Sequence, residues 1–427
     1  MKELISEKLF DNIRFHTVRE ERFKTFRLSA AFYVPLSADT VSKYALLTRI
    51  LLRTCEKYPD FTALSKKLSA LYGATLSADV FKAGDRLGLL FSVSGLDDRY
   101  ALNSESVSKE LSQLLCEIIF RPKLKDGVFD LSELALAKRE LVDMIDSEFN
   151  DKRIYALQRA TAVMCAGEPF AAPRLGAKDD VDTISAEELY TAWQKLISSA
   201  RVEIFYVGES APDQAKETFR NIFSEVKREN PALSNTVVRK VGEVKIVFEE
   251  MELSQSKMIL GFRTDCAEPD DDVTAFRLMT AVLGGTAHSK LFNNVREKLS
   301  LCYYCAARYN RTKGILTVDS GVETDNIDKA KDAILKEIED MKNGIITDFE
   351  IESAKMSVIN SFNEMNDSAI AIEGWYLSQV FDQSMLTAEA LSEKINAVTK
   401  DEIISAAKKL SLDTVYALKG VAKEDEV

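Results

Sequence analysis

Histidine is nearly missing from this chain: 427 residues contain two, His16 and His288. A catalytic zinc takes three protein ligands, and HxxEH supplies two imidazoles one helix turn apart with a glutamate between them. Two histidines so far apart in sequence exclude that arrangement. Basic residues are in deficit as well, 56 against 68 acidic ones, for a formal charge of −12. Nucleic acid and anionic membrane surfaces both need a basic footprint, so neither is an expected partner. No apolar run reaches the roughly 18 residues of a membrane helix, and the opening MKELISEKLFDNIRF has no signal-peptide core. The expected location is cytoplasmic. Glycine (17) and proline (8) are too few for a disordered or fibrous chain. There is no GxSxG elbow and no GxGxxG or GxxxxGK[ST] loop, which removes serine-hydrolase and nucleotide-binding readings.

The residues that could carry chemistry have plain structural readings. His16, between Arg14 and Arg19, reads as a surface residue, and His288 as a polar residue at a helix start. The six scattered cysteines read as buried free thiols. Cys302-Tyr303-Tyr304-Cys305 is a lone CxxC inside a predicted strand. Positions i and i+3 of a regular strand face opposite ways, which argues against a thiol pair. The carboxylates of Glu140 to Glu148 and Asp179 to Asp182 read as solvated helix faces.

What the chain does have is a repeat. Thr25 to Val34 alternates, with Phe26, Leu28, Ala30, Phe32 and Val34 on one face, and predicts a half-buried strand. Helices follow near 41–53 and from Pro59-Asp60 to Gly73, then strands 74–81 and 86–94, then a helix near 104–120. The same order returns in strand 254–263, helices near 272–283 and 288–299, strands 302–310 and 314–322, and a helix over Ile327 to Met341. Each half then has a long helical region and a strand ending in glycine, Val202 to Gly208 and Thr414 to Gly420. Matching elements lie about 210 to 230 residues apart, the spacing of a duplicated domain. The expected fold is α+β in two homologous halves, 1–230 and 231–427, each an antiparallel sheet packed with helices.

Leu283-Gly284-Gly285-Thr286, Ser289-Lys290-Leu291-Phe292, Val295-Arg296-Glu297-Lys298 and Leu301-Cys302-Tyr303 form one string. It resembles the C-terminal-half signature of the pitrilysin/insulinase metallopeptidases, roughly LGG…S.LF..VREk..LaY, in their bacterial processing-peptidase-like branch. The resemblance implies a clam-shaped pair of homologous halves. It also implies that Arg296 and Tyr303 contact a peptide substrate, where a guanidinium can bind a carbonyl and a phenol can donate to an oxyanion. Taken as residues alone, Arg296 reads as a helix-surface partner of Glu297 and Tyr303 as strand packing. In the first half the family's HxxEH falls on Leu46-Leu47-Thr48-Arg49-Ile50, counting from Tyr72-Gly73-Ala74. Leu46 and Ile50 stand for the histidines and Arg49 for the glutamate, and the third ligand falls between Met144 and Glu148. Zinc, general base and activated water are lost together. The resemblance therefore implies a non-catalytic subunit that binds peptides beside a zinc-bearing homologous partner. A homodimeric structural or peptide-binding protein is the alternative.

Overall fold

The computed structural model describes residues Lys2–Val421. The chain opens with strands β1 (Ile5–Phe10), β2 (Ile13–Val18) and β3 (Thr25–Pro35), then helices α1 (Ala38–Ile50) and α2 (Phe61–Ala70). The hairpin β4 (Thr75–Lys82) and β5 (Arg86–Leu96) precedes α3 (Val107–Phe120) and a short ribbon, β6 (Leu124–Lys125) with β7 (Val128–Phe129). Helices α4 (Leu131–Asn150), α5 (Lys152–Met164), α6 (Lys178–Thr183) and α7 (Ala186–Ser199) lead to β8 (Arg201–Val207) and α8 (Pro212–Ser224). The second half runs β9 (Lys245–Glu252), β10 (Ser256–Arg263), α9 (Val273–Thr280), β11 (Cys302–Asn310) and β12 (Ile315–Val322). It closes with α10 (Ile327–Lys342), α11 (Asp348–Glu364), α12 (Ala369–Leu377), α13 (Ala388–Ala397), α14 (Lys400–Lys408) and β13 (Ser411–Val421).

These elements form two compact units, and neither is a single stretch of chain. Unit 1 comprises residues 2–147, 172–234 and 365–387; unit 2 comprises residues 148–171, 235–364 and 388–421. Each thus contains a helix encoded amid the other's sequence, α12 in unit 1 and α5 in unit 2. The unit 1 sheet has the order β1-β2-β8-β3-β5-β4, and that of unit 2 the order β11-β12-β10-β13-β9. Pairing is antiparallel except for β2 with β8 and β9 with β13. The two parallel pairs occupy matching places, the mark of one topology used twice.

Local chemistry explains the element boundaries. Ser37 and Asp60 cap α1 and α2 by accepting backbone N–H bonds, and Gly344, in the left-handed region, ends α10. In β3 the residues Phe26, Leu28, Ala30, Phe32 and Val34 enter the main core, as their alternation predicts. The other face is not solvated, however: Ser29, Ala31 and Tyr33 are also fully buried. The reason is α12, whose Glu373 carboxylate accepts from Arg27 Nε and Ser29 Oγ and fixes the helix on that face. In unit 2, Ala156 and Ala160 of α5 pack on Ile259, Tyr416 and Leu418, and Arg153 pairs with buried Asp319 of β12 at 2.5 Å. Just beyond α5, Glu168 binds Arg263 at 2.6 Å and Lys313 at 2.9 Å, both cations buried.

Candidate functional site

The segment 281–303 is built around two departures from regular geometry. Residues Ala281–Gly285 and Leu291–Lys298 wind as π-helix, with i→i+5 bonding from Leu299 N to Asn294 O at 3.0 Å. Wide turns of this kind recur at functional sites. Gly284 is required by packing: a Cβ there would lie 2.8 Å from Ala307 N and 2.7 Å from Leu291 Cδ1. The second π-helical segment packs on β11 and carries Arg296 on its outer side.

The second departure is a bulge in β11, where the register against β12 shifts between Cys302 and Tyr304. Strict alternation would set Tyr303 on the buried face with Cys305 and Ala307. The extra residue puts Cys302 there instead and turns Tyr303 outward, leaving it 58% exposed. This corrects the expectation that Cys302 and Cys305 face opposite ways: both are buried. The neighbouring Cys305 holds the Cys302 thiol below its usual range, while Cys302 and burial push the Cys305 thiol up.

Tyr303 Oη donates to Glu323 Oε1 at 3.1 Å, and this bond to a carboxylate raises the phenol above the usual tyrosine range. The hydroxyl therefore stays protonated, and a donor, to higher pH. Arg296 lies 3.6 Å from Glu297 and stacks over the Phe292 ring at 4.6 Å, a shallow surface pairing. Its charge also reaches Cys302, next to Tyr303. The structure thus holds both residues on adjoining elements of unit 2, with Tyr303 exposed and Arg296 half-buried.

The position of the degenerate metal motif is different in kind. Leu46 and Ile50 of α1 are buried in the main core of unit 1, at 0% and 2% exposure. Arg49 turns to β4, the sheet edge, and donates from Nη2 to Ala78 O at 2.5 Å; Arg174 donates to Val80 O at 2.9 Å. Burial lowers the Arg49 guanidinium, with Asp79 opposing. Two aliphatic side chains and a cation cannot ligate zinc, and no three His, Cys, Asp or Glu side chains gather as a metal site among the described residues. Nor is His16 a surface residue. It is fully buried, bound by Ser6 Oγ at Nδ1 and by Glu203 at Nε2, each at 2.7 Å, and stacked on Phe205. Its two flanking arginines suggested solvent, but strands β1 and β8 enclose it.

Comparison with known proteins decides the family. The chain is 34% identical over 405 residues, 95% of each chain, to YmfF of Bacillus subtilis, described as a probable inactive metalloprotease. The chain belongs to the M16 (pitrilysin/insulinase) family, in its inactive branch. Residues 183–358 of this M16 homologue match the family model described as the peptidase M16 inactive domain. Its fold is shared with a conserved protein of Enterococcus faecalis, at 30% identity and a TM-score of 0.91, covering 99% of this chain and 100% of that one. A peptidase M16 inactive domain from Pseudomonas fluorescens has the same fold at 18% identity and a TM-score of 0.80, covering 99% of both chains. The role of this M16 homologue is non-catalytic. Among the described residues, no helix is long and apolar enough to cross a membrane.

Proposed function

We propose that this chain is the non-catalytic, peptide-binding subunit of a heteromeric zinc peptidase, acting in the cytoplasm beside a homologous partner that carries HxxEH and the zinc. Arg296 binds a carbonyl of the substrate backbone, and Tyr303 donates to the oxygen that gains charge as the scissile carbonyl is attacked. The observation that carries this reading is the β11 bulge. A strand that needed Tyr303 only for packing would keep it inside, whereas here the register is broken and the phenol faces outward. The α1 position, closed by Leu46 and Ile50, leaves chemistry to the partner.

The test pairs the purified chain with an HxxEH-bearing homologue and follows peptide cleavage. Tyr303→Phe keeps the ring and removes one donor, so kcat/KM should fall about 10²-fold, chiefly in kcat. Arg296→Ala should raise KM as well. Full activity with both residues changed would overturn the proposal.

A further inference from the structure

The parallel strand pair of each unit invites comparison, because only one of them is covered. In unit 1, β2 lies between β8 and the antiparallel strand β1. In unit 2, β9 has β13 on one side, and among the described residues no strand pairs with its other edge. The faces differ in the same way. Ser29 bonds to α12, is paired with Phe205, and Phe205 is paired with His16, so Phe15 and Ile13 face away from that helix. Both are buried, in one core with Phe219 and Phe223 of α8. On β9, Val247 and Met251 turn toward α5, and the opposite face presents Ile246 and Phe248 at 63% and 47% exposure. Lys419 stacks over Phe248 at 4.2 Å but leaves it open.

An edge of this length with adjacent bulky apolar residues is what soluble proteins usually suppress. We infer that the outer edge of β9 is a docking surface for an antiparallel strand from another protein, basic at its start and apolar at alternate positions after that. Unit 1 shows the geometry of the occupant, since β1 fills the same place antiparallel to β2. The chemistry follows from the exposed face of β9, which reads Ile246, Phe248, Glu250, Glu252 along the strand. An antiparallel partner meets it in reverse, its first residues against the two carboxylates and its later ones against Phe248 and Ile246. A second copy of β9 fits poorly. Opposed residues of an antiparallel pair share a face, so a copy that sets Ile246 against Phe248 places Val244 and Gly242, neither of them basic, against Glu250 and Glu252. The inference is independent of the peptidase reading, because Arg296 and Tyr303 lie on other elements.

The probe is a fluorescein-labelled peptide, Arg-Thr-Lys-Thr-Val-Thr-Ile-Thr-Val, titrated with the full chain and followed by anisotropy. Binding should weaken at least about tenfold in Phe248→Glu and Ile246→Lys, and with the peptide N-methylated at alternate residues. It should persist in Arg296→Ala. Glu250→Lys with Glu252→Lys keeps the apolar strip and should exchange preference to the same peptide with glutamates at its two basic positions. No binding to the wild-type chain at millimolar concentration, equal binding to Phe248→Glu, or no change of preference in the charge-reversed chain would overturn the inference.

Discussion

Burial alone would push the Glu168 carboxyl upward, yet hydrogen bonds from Arg263 and Lys313 hold it below the usual carboxylate range. Removing its charge leaves two buried cations without their shared partner. Glu168→Gln should therefore lose about 3–5 kcal/mol of stability at neutral pH, measured by urea unfolding. A depressed carboxyl stabilises fully above its unfolded pKa and loses that contribution as pH falls through its folded one. The gap between wild type and Glu168→Gln should therefore narrow in acid. None of this was legible beforehand, since Glu168 has no motif and its partners lie 95 and 145 positions further along. His16 was misread for the same reason: its burial depends on Glu203, which is 187 positions away. Arg296 and Tyr303 could be singled out because they belong to a dense local string. The exposure of Tyr303 could not, since it depends on the bulge.

Elements bounded by turns and alternation were readable, as β3, β4, β5, β11 and β12 show. The strands β1, β2 and β9 were not, because IRFHTV and KIVFEEME mix charge with apolar residues and give no clean period. The π-helical segments are a second case, since a wide turn leaves no compositional trace, although the paired glycines at 284 and 285 do mark the place. They are not equivalent. Gly284→Ala should cost about 1–3 kcal/mol, because the new methyl group meets the β11 backbone. Gly285→Ala has its nearest neighbour, Thr280 O, at 3.4 Å and should be close to neutral. Thermal unfolding of the two variants side by side checks this. Equal losses would show that the close approach of β11 to Gly284 does not matter.

At the scale of the molecule, the duplication was legible as a repeated order of elements. The exchange of α5 and α12 was not, because a helix's own pattern shows that it has an apolar face, not which sheet that face covers. The exchange makes a simple cut at the midpoint destructive. Residues 1–234 expressed alone lack α12, so the face of β3 bearing Arg27 and Ser29 loses its cover. That fragment should be poorly soluble and bind a hydrophobic dye, and a peptide spanning 365–387 should restore a cooperative melt. A soluble, cooperatively melting 1–234 would show that α12 is dispensable. The same exchange orders events on the ribosome. The last segment of unit 1 begins about 130 residues after Ser234, which at translation speeds of roughly 5–20 residues per second is a delay on the order of ten seconds. Throughout that delay the nascent first sheet stands with one face bare. A chaperone that shields it would matter more during synthesis than at any later time in the life of the protein.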